Sequence, residues 1–119
     1  MSNEQIVIDI LQEGSVAIIY VRGDLTLLDA PQFKKIVDDE VNKGIKKLLF
    51  DFENLTFLDS SGIGLLLRFH AQLRKLNGKI AYINFHKNVE NTMQKALPQQ
   101  IRSTSFFESK EKAMEYMNS

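Results

Sequence analysis

The chain has 119 residues, of which 44% are apolar and 25% charged, the profile of one ordinary globular domain able to bury a core of its own. Its 15 basic residues balance 15 acidic ones, so no net field draws it to nucleic acid or into an anionic membrane, and any partner is recognised locally. The absence of cysteine excludes a disulfide framework, thiolate chemistry and cysteine-based zinc sites, and fits a reducing cytoplasm.

The start, MSNEQIVIDILQEGSV, has no basic leader and no sustained apolar run, and so does not read as a signal peptide. Ile6, Ile8 and Ile10 alternate with Val7, Asp9 and Leu11. Glu13-Gly14 then turns the chain into Ser15 to Arg22, rich in Val, Ile and Tyr, which predicts a β-hairpin. After Gly23, the segment Asp29-Ala30-Pro31 offers an N-cap acid and an early-turn proline. Phe33, Ile36, Val37 and Val41 recur at helical spacing until Gly44, predicting a first helix. Leu48 to Phe52 is nearly continuous in apolar residues, as in a strand covered on both faces. A second helix is expected from Ser60 to Leu76, stopped by Asn77-Gly78. Its most apolar part, Ile63 to Phe69, is broken by Arg68 and falls far short of the roughly 20 residues that cross a bilayer.

Further along, Lys79 to Phe85 reads as a strand, and Val89 to Leu97 as a short helix closed by Pro98. Ser105 to Phe107 reads as a last short strand and Lys110 to Met117 as a terminal helix. Phe106, Phe107, Ala113, Met114 and Met117 have the spacing to pack that helix on the sheet. Strands alternating with helices predict an α/β fold: one domain spanning residues 1–119, with a single mixed, largely parallel β-sheet of roughly four to five strands and about four α-helices.

In such sheets functional groups gather beyond the carboxyl ends of the strands. Phe57 to Gly62 forms one strand-to-helix turn there, and Gly23 to Pro31 forms another, with Leu27 and Leu28 between its polar residues. If their strands are parallel neighbours, the two loops share one edge. Three roles compete for Asp59-Ser60-Ser61: helix capping, nucleophilic catalysis, and modification by another protein. Capping by Asp59 or Ser60 accounts for one residue. It does not require a second serine, nor Gly62 and Gly64, since glycine in a helix costs roughly 1 kcal/mol against alanine. Bare glycines at the helix start suit close approach by another surface, or packing against the sheet. Catalysis fares worse. There is no Gly-x-Ser-x-Gly elbow, and His70 lies nearly three turns from Ser60, about 15 Å at helical rise. His86 sits beside Lys87 and Asn88 and reads as a surface residue. No phosphate-binding loop, dinucleotide fingerprint or metal-ligand cluster is present, so no cofactor and no metal are expected.

Gly23-Asp24-Leu25, the strand Leu48 to Phe52, and above all Leu58-Asp59-Ser60-Ser61-Gly62-Ile63-Gly64 together resemble the STAS domain of bacterial anti-sigma factor antagonists over nearly the whole chain. The resemblance implies the STAS fold and a cytoplasmic, non-enzymatic binding protein, monomeric or weakly dimeric. In a partner-switching pathway it would bind an anti-sigma factor that is also a serine kinase, and so release the sigma factor. The implied phosphorylation site is Ser60, with Asp59, Ser61 and Gly62 shaping it. Phosphorylation abolishes binding and a PP2C-type serine phosphatase restores it, while ATP belongs to the kinase. Asp24, Thr26, Leu27, Leu28, Ile63 and Leu65 form the expected partner surface. One departure from the family pattern stands out: an acid usually follows Gly-x-Leu with a hydroxyl residue three positions on, whereas here Thr26 takes the first place and Asp29 the second. The resemblance also admits a scaffold subunit of a signalling assembly or an accessory subunit of a membrane transporter. A phosphate adds about −1.5 to −2 charges, and at a helix start it is expected to meet free N–H groups and the positive dipole end. The complex, not the fold, would then bear its cost.

Overall fold

Alternation at the N-terminus produces the expected hairpin. In the computed structural model, which describes residues 6–119, strand β1 (Val7–Glu13) pairs antiparallel with β2 (Val16–Leu25). Gly14 turns between them at φ 62°, a left-handed conformation that glycine adopts without strain. Helix α1 (Ala30–Asn42) carries the chain to β3 (Lys47–Asp51), then β4 (Leu55–Leu58), α2 (Ser60–Lys75) and β5 (Lys79–Ile83). Helices α3 (Lys87–Ala96), α4 (Gln99–Ser105) and α5 (Lys110–Met117) follow. The sheet order is β1-β2-β3-β5, with β2, β3 and β5 mutually parallel.

Strands β2, β3 and β5 are apolar on both faces because both faces are covered. Ala17, Ile19, Leu48, Phe50 and Tyr82 meet Phe33 and Val37 of α1 and Leu66, Phe69 and Leu73 of α2. On the reverse face Val16, Ile18, Leu49, Ala81 and Ile83 pack under Ala113 and Met117 of α5. Phe50 sits at the centre of the larger core, its ring centroid 5.5–6.3 Å from those of Phe33, Phe52, Phe69 and Tyr82. Each such ring contributes roughly 1.5–3 kcal/mol by burial. The main cluster thus anchors α2 along its length through Ile63, Leu66, Phe69 and Leu73, with its N-terminal turn at the sheet edge.

Three elements depart from the sequence reading. Strand β4 has no period-2 signature: Leu55 and Leu58 are buried while Thr56 and Phe57 between them are exposed. It exists because β3 ends at Asp51 while β2 runs on to Leu25, and beyond a register shift at Gly23/Asp24 β4 pairs with that free edge. Pro98, read as closing a helix, also opens α4, a seven-residue turn buried only at Ile101 and Ser105 and too short to show helical spacing. The expected strand at Ser105 to Phe107 is a single bridge from Phe106 to Tyr82. There the chain crosses the sheet edge, so Phe106 packs against Phe85 with the main core, ring centroids 4.8 Å apart, and only Phe107 joins α5 against Tyr116. Among the described residues no helix is long and apolar enough to cross a membrane.

Candidate functional site

The register of β4 on β2, with Asp24 opposite Phe57 and Leu25 opposite Leu58, brings the ends of two parallel strands side by side. The loops that follow therefore share one edge, and Asp59 joins them. Its extended backbone places its carboxylate over the start of α2, where Oδ1 accepts from the N–H of Ser61 at 2.9 Å and of Gly62 at 3.2 Å. Its Oδ2 accepts from the N–H of Leu27 at 3.0 Å, across 32 residues of sequence. One carboxylate thus caps the helix and fastens the β2–α1 loop to it.

With the cap supplied by Asp59, the adjoining serines are released from that duty. Ser60 is exposed, and among the described residues its hydroxyl forms no hydrogen bond; that of Ser61, half-buried, forms none either. The β2–α1 loop closes on itself. Thr26 Oγ1 accepts from Leu28 N–H and donates to Asp29 Oδ2, both at 3.3 Å. Asp29 stands at the N-cap of α1 but does not cap it: its backbone is helical, with φ −97° and ψ −10°, and its side chain turns to Thr26 instead. The two residues that exchange places relative to the family pattern are thus bonded to each other. Asp24 accepts from Thr56 Oγ1 at 2.6 Å, and Asn88 of α3 donates to the Thr56 carbonyl at 2.7 Å, bracing the end of β4.

The loop leucines stand out from this scaffold. Leu27 is 69% exposed and Leu28 89%, unusual for side chains that each gain from burial. Phe57 adds a third apolar side chain at 48% exposure on the same edge. Sequence pattern alone did not single it out, because its exposure follows from the buried-exposed-exposed-buried run of β4. Ile63 corrects the expected partner surface: it is 7% exposed and belongs to the main core, since its place at the fourth position of α2 turns it toward the sheet. Leu65 is half-buried and leans on the same core. The glycines divide as well. A Cβ on Gly62 would collide with Leu58 Cδ1 and crowd Leu25, so its bareness serves internal packing, whereas Gly64 faces open space.

Neither histidine serves this edge. His70 is tied to the core, its Nε2 2.9 Å from the Tyr82 hydroxyl. Burial, reinforced by the nearby Arg74 charge, lowers its pKa to about 4; burial likewise raises that of Tyr82. His86 is exposed at the start of α3. Among the described residues no group of three or more His, Cys, Asp or Glu is placed to hold a metal ion.

The family model of the STAS domain matches residues 7–113, and the chain belongs to that family. Solved structures repeat the architecture. The protein TM1081 of Thermotoga maritima is 22% identical, with 94% of this chain and 95% of that one covered and a TM-score of 0.85. An anti-sigma factor antagonist from Mycobacterium paratuberculosis is 16% identical, with 99% and 98% covered and a TM-score of 0.84. The Bacillus cell fate determinant SpoIIAA in its phosphorylated form is 20% identical, with 92% and 97% covered and a TM-score of 0.73. At these identities the likeness is one of fold.

Proposed function

We propose that this chain is an anti-sigma factor antagonist that works by partner switching in the cytoplasm. Its unphosphorylated form binds an anti-sigma factor that is also a serine kinase, and thereby frees the sigma factor. Phosphorylation of Ser60 ends the complex, and a PP2C-type phosphatase resets it. The observation that carries this reading is the Ser60 hydroxyl itself: exposed, without a hydrogen bond among the described residues, at the start of a helix already capped by its neighbour, and on the edge that carries Leu27, Leu28 and Phe57. That SpoIIAA is known in a phosphorylated form supports it.

The geometry also revises how the phosphate would act. The Ser61 and Gly62 N–H groups are already bonded to Asp59, so a phosphate on Ser60 meets a neighbouring carboxylate rather than vacant amides. It stays solvated because Ser60 is exposed, and the fold survives. In the complex, water is excluded. A unit charge held about 4 Å from a like charge at an effective dielectric near 20 costs of order 4 kcal/mol, or roughly a thousandfold in affinity.

The test is incubation of the wild-type chain, Ser60→Ala and Ser61→Ala with the cognate anti-sigma factor and ATP, followed by phosphosite mapping. Phosphate on Ser60 in the wild type and in Ser61→Ala, and none on Ser60→Ala, is the expected result. Phosphate on Ser61, or none at all while the partner binds, would overturn the assignment.

A further inference from the structure

At the opposite end of α2 from Ser60, about 21 Å away at helical rise, a groove of roughly 340 Å³ opens between α2, α4 and α5. Its volume falls within the range of small-molecule sites. Leu73, Ile80 and Ile101 provide apolar walls, and no aspartate or glutamate is among its lining residues. Two cations line it. Lys79 is committed, donating to the carbonyl oxygens of Tyr116 at 2.8 Å and Ser119 at 2.9 Å. Arg74 is exposed and forms neither an ion pair nor a side-chain hydrogen bond among the described residues. Ser105 also lines it, a residue only 3% exposed whose hydroxyl has no hydrogen-bond partner among the described residues and opens onto the groove.

A guanidinium brings several donors in a planar fork suited to carboxylate or phosphate. Thr104 also lines the groove, its hydroxyl proton committed to the Gln100 carbonyl at 2.7 Å. His70 at the groove wall is neutral at pH 7 and adds no charge of its own to the site. One free guanidinium, an unpaired hydroxyl open to the groove and apolar walls without an acid describe a receptor for an anion attached to a hydrocarbon body.

We propose that this groove binds a small organic anion, a carboxylate or phosphate borne on an apolar group, with Arg74 as its ion-pair partner and the Ser105 hydroxyl as a second donor. The proposal is independent of the reading of Ser60, because the two places lie at opposite ends of α2. Amide and Arg-side-chain NMR titration of the full chain tests it with phenyl phosphate and benzoate as probes, and with phenol and inorganic phosphate as controls. Saturable shifts confined to Arg74, Thr104, Ser105 and their neighbours are expected with one or both aromatic anions. Benzoate and phenyl phosphate binding alike indicates general anion recognition, and phenyl phosphate alone narrows the anion to phosphate. Arg74→Gln should weaken the binding by at least about tenfold and Ser105→Ala severalfold, while Ser60→Ala leaves it unchanged. Absence of saturable shifts at millimolar probe, equal binding of phenol or of inorganic phosphate, or full affinity in Arg74→Gln would overturn the proposal.

Discussion

Replacing Asp59 by alanine removes three hydrogen bonds with one side chain, to the N–H groups of Ser61 at 2.9 Å, Gly62 at 3.2 Å and Leu27 at 3.0 Å. Loss of an N-cap acceptor costs about 0.5–2 kcal/mol. The Leu27 bond is charge-assisted but lies at an exposed amide, so it adds about 1 kcal/mol rather than the upper value for buried bonds. A total of roughly 2–3 kcal/mol lowers the melting temperature of a domain of this size by on the order of 10 °C. Asp59→Asn keeps one acceptor oxygen and should lose about half as much. Ser60→Ala removes an exposed hydroxyl that is unbonded among the described residues, and should stay within about 0.5 kcal/mol of the parent. The assay is urea unfolding of the three variants, with amide exchange read at Leu27, Ser61 and Gly62. Faster exchange at all three positions in Asp59→Ala is expected. If Asp59→Ala unfolds like the parent while Ser60→Ala is the destabilised variant, the division of labour between cap and free hydroxyl is wrong.

The two helical glycines should respond with opposite signs. Gly62→Ala must displace Leu58 and Leu25 and lose about 1–3 kcal/mol, whereas Gly64→Ala, with open space before it, should gain up to about 1 kcal/mol in a denaturant melt. Stability should fall on acidification through His70. Its folded pKa of about 4 lies below the unfolded value of 6.5, so between those pH values the unfolded chain holds a proton that the folded one lacks. The contribution is complete above pH 6.5 and is lost as pH falls toward 4, by of order 2–3 kcal/mol. A His70→Gln variant should show a flatter dependence of unfolding midpoint on pH over that window, and an unchanged slope would contradict the burial argument. Leu28→Asp should weaken binding of the anti-sigma partner by at least about tenfold with an unchanged melt; a lowered melt with intact binding would return Leu28 to the core.

What could be read from the residues follows from where periodicity is strong. The hairpin, α1, β3, α2, β5 and α5 each carry a run long enough for alternation or helical spacing to appear, and both-face burial of β3 was legible in Leu48 to Phe52. Strand β4 and helix α4 are too short for either signal and owe their existence to tertiary context: a free edge of β2 in one case, two buried anchors in the other. At the site, an Asp-Ser-Ser-Gly helix start was visible, but which residue caps and which is free was not. That distinction depends on the extended backbone of Asp59 and on Leu27 arriving from a distant loop. Asp29 shows the same limit from the other side, because an N-cap residue type at an N-cap place is diverted by Thr26 three residues earlier. Ile63 and Leu27 are both apolar residues beside a loop, and only the direction of the first turn of α2 separates the buried one from the exposed one.

The central claim, that one free hydroxyl at the start of α2 governs partner binding, is tested most directly by calorimetric titration of the cognate anti-sigma factor with the chain before and after stoichiometric phosphorylation at Ser60. The account predicts tight binding of the unmodified chain and a loss of roughly a thousandfold on phosphorylation, with the melting curve of the free domain unchanged. Equal affinity of the two forms, or a phosphorylated chain that has lost its fold, would contradict it.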